Sequence, residues 1–108
     1  MWVTREPHFI ELSTGSHTEL RAQFSAAVDE TLRRRSLTLL VGLDALSDLD
    51  DTVLSAAIIA LRRLREFGGS LRLITQKASH RKTLSATGLD HVFEIRRFRE
   101  VLEEVGLL

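Results

Sequence analysis

The chain has 108 residues, no cysteine, and 15 lysines plus arginines against 15 aspartates plus glutamates. This length favours one domain spanning residues 1–108. Zero net charge gives no global attraction to nucleic acid or to an anionic membrane. The missing cysteines exclude disulfides, thiolate metal sites and cysteine nucleophiles. The first residues form no signal-peptide core and the apolar runs are too short to cross a bilayer, so we expect a cytoplasmic protein without direct membrane insertion.

Apolar periodicity predicts four strands that alternate with four helices. The strands are predicted over residues 8–12, 36–43, 71–74 and 92–95. The helices are predicted over residues 19–35, 52–67, 79–88 and 98–105, with Thr18 as the N-cap of the first. Apolar faces are predicted for three of these helices. The face of the first helix consists of Leu20, Phe24, Ala27, Val28 and Leu32, that of the second of Leu54, Ala57, Ile58, Leu61 and Leu64, and that of the fourth of Phe98, Val101, Leu102 and Val105.

The second strand sets the fold class. Residues 37–41 are almost continuously apolar, which is typical of a strand that is covered by helices on both sides of a sheet. Strict alternation of strands and helices implies parallel neighbours joined by right-handed crossovers. The pattern therefore predicts a small α/β sandwich.

Three short motifs follow one another in a familiar order. Residues 50–54 read Asp-Asp-Thr-Val-Leu, the pair Gly68 and Gly69 ends the second helix, and Gly88 with Leu89 ends the third. In this order and spacing the chain resembles the STAS domain family, and within it the anti-sigma factor antagonists, whose motif reads Asp-Ser-Ser/Thr-Gly-Leu. The resemblance implies an α/β fold with a small mixed β-sheet and about four helices.

The resemblance also implies a function. It places Asp51 at the position of the phosphoacceptor serine, leaves Thr52 as the remaining hydroxyl, and puts Val53 where the family has glycine. It implies a non-catalytic regulatory module that binds a protein partner, either an ATP-binding anti-sigma kinase or another STAS protein. A soluble STAS subunit of a lipid-transport ABC complex is the alternative. The implied partner-binding residues are Asp48, Asp50, Asp51, Thr52, Val53 and Leu54.

Other interpretations of the polar residues remain open. The acids at residues 48–51 also suit helix capping and the helix dipole, and three carboxylates could hold Mg²⁺. The arginines form small groups near predicted helix ends among acids, which favours solvated faces over a nucleic-acid surface. We expect His17, His80 and His91 to be surface or loop residues. No nucleophile–base pair or phosphate loop is evident, so we expect no catalytic residue, metal or cofactor.

Overall fold

The computed structural model describes residues 3–104 and 106–107. Its strands and helices alternate as the periodicity predicts, and a short 3₁₀ turn that was not predicted precedes the last strand. Val105, predicted on the last helical face, lies outside the described residues. The elements are β1 (His8–Glu11), α1 (His17–Arg33), β2 (Thr38–Gly42), α2 (Asp51–Arg65), β3 (Ser70–Ile74), α3 (Ala78–Ala86), the 3₁₀ turn (Leu89–His91), β4 (Glu94–Arg96) and α4 (Phe98–Glu104).

The four described strands form one sheet in the order β1-β2-β3-β4. All three neighbouring pairs are parallel, and Leu39 lies in register with His8 on one side and with Leu71 on the other. The α/β fold is confirmed. The predicted mixed sheet is corrected to a parallel one across the described strands, because each helix returns the chain to the same edge before the next strand starts.

The main core lies between one face of the sheet and helices α1 and α2. Alternate residues of a strand point to opposite faces, and Leu39 and Val41 of β2 point toward these helices. Val28 and Leu64 meet them from α1 and α2, and neither side chain is exposed. Leu40 of the same strand is buried on the opposite face, so the two-sided burial predicted for β2 is confirmed.

The opposite face of the sheet carries a smaller apolar cluster. Leu40, Ile74 and Val101 are buried together there, with Val101 supplied by α4. At its rim, the rings of Phe9 and Phe98 meet edge to face with 6.4 Å between their centroids, and both are more than two-fifths exposed. Within the described part of the chain, the short helix α4 supplies the cover of this face.

An ionic cluster attaches β4 and α4 beside that apolar cluster. Glu104 of α4 accepts hydrogen bonds from Arg72 Nη1 and Arg96 Nε, each at 2.8 Å. Arg72 Nε also lies 2.7 Å from Glu94 Oε2, an ion pair without the alignment of a hydrogen bond. The bond to Glu104 raises the pKa of the Arg96 guanidinium. Four charged side chains thus join three elements.

The N-cap of helix α1 lies two residues before the predicted one. Ser16 is the N-cap: its hydroxyl accepts from the Glu19 N–H at 3.1 Å, and the Glu19 carboxylate accepts from the Ser16 N–H at 3.4 Å. This reciprocal arrangement satisfies two backbone donors, whereas Thr18 could satisfy one. The Thr18 prediction is therefore wrong, and the serine–glutamate spacing is the signal that identifies the start.

Helix α2 buries a wider face than its predicted stripe. Ala56 and Ala60 are buried in addition to Leu61 and Leu64, because α1 packs alongside α2 and small side chains allow the close approach. Ile58 is only partly buried against this core. The predicted face is thus confirmed at its centre and shifted toward α1.

Gly69 carries the chain from α2 into β3 through a narrow gap. A Cβ at this position would lie 2.7 Å from the Leu37 carbonyl oxygen and 3.2 Å from that of Leu64. Because both obstacles are backbone atoms, we expect Gly69→Ala to lower the free energy of unfolding by about 1–3 kcal/mol, as overpacking does. Urea melts would measure this loss, and Ser70→Ala, at the exposed neighbouring residue, is the control. Equal midpoints for the two variants would contradict the prediction.

Candidate protein-binding site

The carboxyl ends of the parallel strands meet at one edge of the sheet, where the following helices begin. The connection between β2 and α2, residues 43–50, is called the acidic loop here because it contains Asp44, Asp48 and Asp50. Asp51 follows it as the first residue of α2. In open parallel sheets this edge is the usual place for binding sites. Four carboxylates are therefore collected along one short segment of this edge.

Three buried leucines, Leu43, Leu46 and Leu49, hold the acidic loop in place. Leu46 and Leu49 are 4% and 7% exposed, so they anchor the middle and the end of the loop in the main core. At its start, the Leu43 N–H donates to the Ile74 carbonyl of β3 at 2.9 Å. These anchors leave Asp48, Asp50 and the neighbouring Asp51 exposed to solvent.

Asp50 caps helix α2. Its Oδ1 accepts from the Val53 N–H at 3.0 Å, and its backbone is extended, as expected of an N-cap. The His17 Nε2 lies 3.8 Å from Asp50 Oδ2, with both side chains at least half exposed. The capping interpretation of Asp50 is confirmed. A role in partner binding stays a prediction for this residue.

Asp48 and Asp51 are the exposed acids of this segment that do not cap helix α2. Within residues 3–104 and 106–107, neither forms an ion pair. Asp51 lies in the first turn of α2, where the helix dipole favours a negative charge. Their part in partner binding stays a prediction that the geometry permits.

The rest of the predicted motif points inward. Thr52 is 9% exposed, Val53 is 3% exposed and Leu54 is 8% exposed, and the two apolar residues belong to the main core. The order of a motif gives positions along the chain, whereas helical phase decides which side chains reach the surface. A partner could therefore contact the exposed side chains of Asp48, Asp50 and Asp51, but not the buried side chains of residues 52–54. A kinase could reach the Thr52 hydroxyl only if this turn opened.

His80 corrects the expectation of a surface residue. Its side chain is 1% exposed, with Nε2 2.9 Å from the Leu46 carbonyl oxygen and Nδ1 2.9 Å from Thr75 Oγ1. His17 and His91 are exposed, as expected. A signal was present in the sequence: His80 and Leu84 are four residues apart on α3 and so share its buried face.

Asp44 and Thr75 are two further residues that the motifs did not reveal. Asp44 Oδ1 accepts from the Thr75 hydroxyl at 3.0 Å and from the Gln76 N–H at 2.8 Å. Each stands just past the end of a strand, β2 or β3, and these strands are neighbours. Parallel pairing therefore brings the two together. Together with His80, they tie the acidic loop to the start of α3.

The described residues form neither a cluster of metal ligands nor a membrane-spanning helix. Among the described residues, no group of three or more His, Asp or Glu side chains is arranged to hold a metal ion. In the same residues, no helix combines the length and the apolar character that a membrane span requires.

Comparison with known proteins supports the fold strongly. No family model and no curated protein matches the sequence. Among solved structures, the anti-sigma factor antagonist SpoIIAA in its unphosphorylated form matches with a TM-score of 0.73 and 19% identity, over 100% of this chain and 95% of SpoIIAA. The chain has the SpoIIAA fold. Phosphorylated Bacillus SpoIIAA matches with a TM-score of 0.57 and 23% identity, over 97% and 96% of the two chains.

A second protein shares this fold. The NMR structure of TM1081 from Thermotoga maritima matches with a TM-score of 0.77 and 19% identity, over 96% of this chain and 85% of that one. The STAS-like fold implied by the sequence motifs is thereby confirmed, and its likeness to SpoIIAA extends over the whole sheet and its helices.

Proposed function

We propose that this chain is a non-catalytic regulatory module of the cytoplasm that binds a protein partner through the acidic loop and the first turn of α2. One observation carries the proposal: the SpoIIAA fold over the full chain presents an exposed acid, Asp51, at the start of α2. SpoIIAA itself is named as an anti-sigma factor antagonist. An ATP-binding anti-sigma kinase or another STAS protein is accordingly the proposed partner.

The negative charge of Asp51 limits which residues a partner can place against it. A carboxylate carries a permanent charge and cannot accept phosphate from a serine kinase. A charge that is buried without a counterion on docking costs several kcal/mol. The proposed partner therefore presents an arginine or lysine to Asp51.

The burial of Thr52 supports a second candidate function. With a carboxylate at residue 51 and a 9% exposed hydroxyl at residue 52, the motif offers no accessible phosphoacceptor. This favours an assembly that phosphate does not switch at this position. A soluble STAS subunit of a lipid-transport ABC complex is such an assembly, and its partner is the ABC ATPase.

The test compares the natural chain with three variants by isothermal titration against the purified anti-sigma kinase. Asp51→Asn preserves shape and removes charge, so we expect it to weaken binding at least tenfold, or about 1.4 kcal/mol. Asp51→Ser should weaken it similarly. The control is Asp90→Asn, an exposed acid on the 3₁₀ turn outside the acidic loop. Natural affinity in both Asp51 variants would contradict a paired carboxylate, and binding to the ABC ATPase alone would support the second candidate.

A further inference from the structure

A buried chain of hydrogen bonds runs beneath the acidic loop. It connects Asp44 Oδ1 to Thr75 Oγ1 at 3.0 Å and Thr75 Oγ1 to His80 Nδ1 at 2.9 Å. On its other side, the His80 ring reaches the Leu46 carbonyl in the middle of the loop at 2.9 Å. Thr75 is 0% exposed and His80 is 1% exposed. The acidic loop is thus held at Leu46 by the His80 imidazole and at Asp44 by the Thr75 hydroxyl.

The hydrogen bonds among Asp44, Thr75 and His80 need a definite number of donor protons. The Leu46 carbonyl can only accept, so His80 Nε2 carries a proton. Thr75 has a single O–H. If Nδ1 were unprotonated and Asp44 ionised, the Thr75 O–H would be needed by the ring. Thr75 Oγ1 would then face Asp44 Oδ1 at 3.0 Å with no hydrogen between them. If Nδ1 carries a proton, Thr75 accepts from the ring and donates to Asp44, and every contact is satisfied.

The backbone N–H of Lys77 is a further donor to the Thr75 hydroxyl oxygen. It donates to Thr75 Oγ1 at 3.1 Å. A hydroxyl oxygen can accept two hydrogen bonds while it donates one. With a doubly protonated ring, the two acceptor positions are taken by His80 and by the Lys77 N–H, and the donor goes to Asp44. The observed distances therefore use the full capacity of the Thr75 hydroxyl.

We propose that His80 is a proton-dependent latch for the acidic loop. With both ring nitrogens protonated, the imidazolium holds Thr75 so that its hydroxyl binds Asp44. When Nδ1 loses its proton, the Thr75 hydroxyl turns to the ring, and Asp44 keeps only its bond from the Gln76 N–H.

The charged groups around the latch come from the elements packed against it. Asp44 of the acidic loop favours the protonated ring. Lys77, whose Nζ donates to the Leu46 carbonyl at 3.0 Å, opposes it, as does Arg81, whose Nη1 lies 3.4 Å from the Thr75 carbonyl oxygen. The carboxylate connects to the ring through one hydroxyl, whereas both cations are directed at backbone carbonyls.

The latch would regulate the docking surface, and this consequence rests on the proposed function. A latched loop holds Asp48, Asp50 and Asp51 in fixed positions, which reduces the ordering that a partner must impose on binding. Release of Asp44 makes the loop more mobile. Partner affinity is therefore expected to fall as His80 loses its second proton.

The decisive experiment is NMR of the full chain without any partner, so its outcome does not depend on the proposed function. In a pH titration of the folded chain we expect two ring N–H resonances for His80 at the acidic end, with exposed His17 and His91 as internal references. A single His80 ring proton, on Nε2, at every pH would overturn the proposal. This measurement uses the natural protein and needs no variant to fold.

A matched pair of variants tests the mechanical part. Thr75→Val keeps the shape and removes the hydroxyl, so we expect loss of the Nδ1 proton and at least tenfold faster hydrogen exchange at the Gln76 amide. Thr83→Val is the control, because that hydroxyl bonds only to Ser79 within α3. Unchanged Gln76 exchange in Thr75→Val would show that Asp44 is held without the hydroxyl, and the latch would be refuted.

Discussion

Leu64→Ala is expected to lower the free energy of unfolding by about 3–5 kcal/mol, the range for a fully buried leucine whose surroundings cannot close the cavity. Leu64 is 0% exposed and lies where α2 meets the sheet. The backbone around it is also fixed, since the Leu64 carbonyl accepts from the N–H groups of Phe67 and Gly69. These bonds limit the collapse that would otherwise reduce the cost.

Ile59→Ala on the same helix is the matched control for this core prediction. Ile59 is 59% exposed and lines a groove between α1 and α2, so we expect a change within about 0.5 kcal/mol. Urea melts of both variants, analysed with a common slope, give the comparison. A loss below about 1 kcal/mol for Leu64→Ala would mean that α2 buries a different face.

Asp51→Arg is expected to weaken partner binding at least a hundredfold, or about 2.7 kcal/mol. The substitution removes the proposed ion pair and places a cation opposite the partner's cation, so attraction becomes repulsion. Glu66→Arg is the matched control, because Glu66 is exposed at the opposite end of the same helix. We expect the control to bind like the natural chain in the same titration.

Folding and binding effects of Asp51→Arg can be separated. An arginine in the first turn of α2 opposes the helix dipole and should cost no more than about 1 kcal/mol of stability. A thermal melt that stays within this limit, together with the hundredfold loss, assigns the effect to the interface. Equal affinities for Asp51→Arg and Glu66→Arg would place the partner elsewhere on the molecule.

The order of strands and helices could be predicted because periods of two and of about 3.6 residues are visible in the sequence. The parallel register could not, since nothing local states that Leu39 lies beside Leu71. The resemblance suggested a mixed sheet. The crossovers that the sequence also implied made the described sheet parallel.

At the candidate site, the predictable residues were those whose role is local. Asp50 was predictable as a cap because it directly precedes an amphipathic helix. The inward direction of Thr52 depends on the phase of α2 against α1, which a motif does not carry. His80 is buried although it is polar, because its ring meets the Thr75 hydroxyl on one side and the Leu46 carbonyl of a distant segment on the other. Such partners become visible only in three dimensions.

The ionic cluster of Arg72, Glu94, Arg96 and Glu104 makes the attachment of helix α4 different in kind from the packing of the main core. The main core is held by apolar burial, whereas helix α4 is attached through partly exposed charge pairs and a three-residue apolar cluster. Dissolved ions screen such pairs. At high ionic strength helix α4 is therefore expected to open before the sheet and the helices that carry the acidic loop.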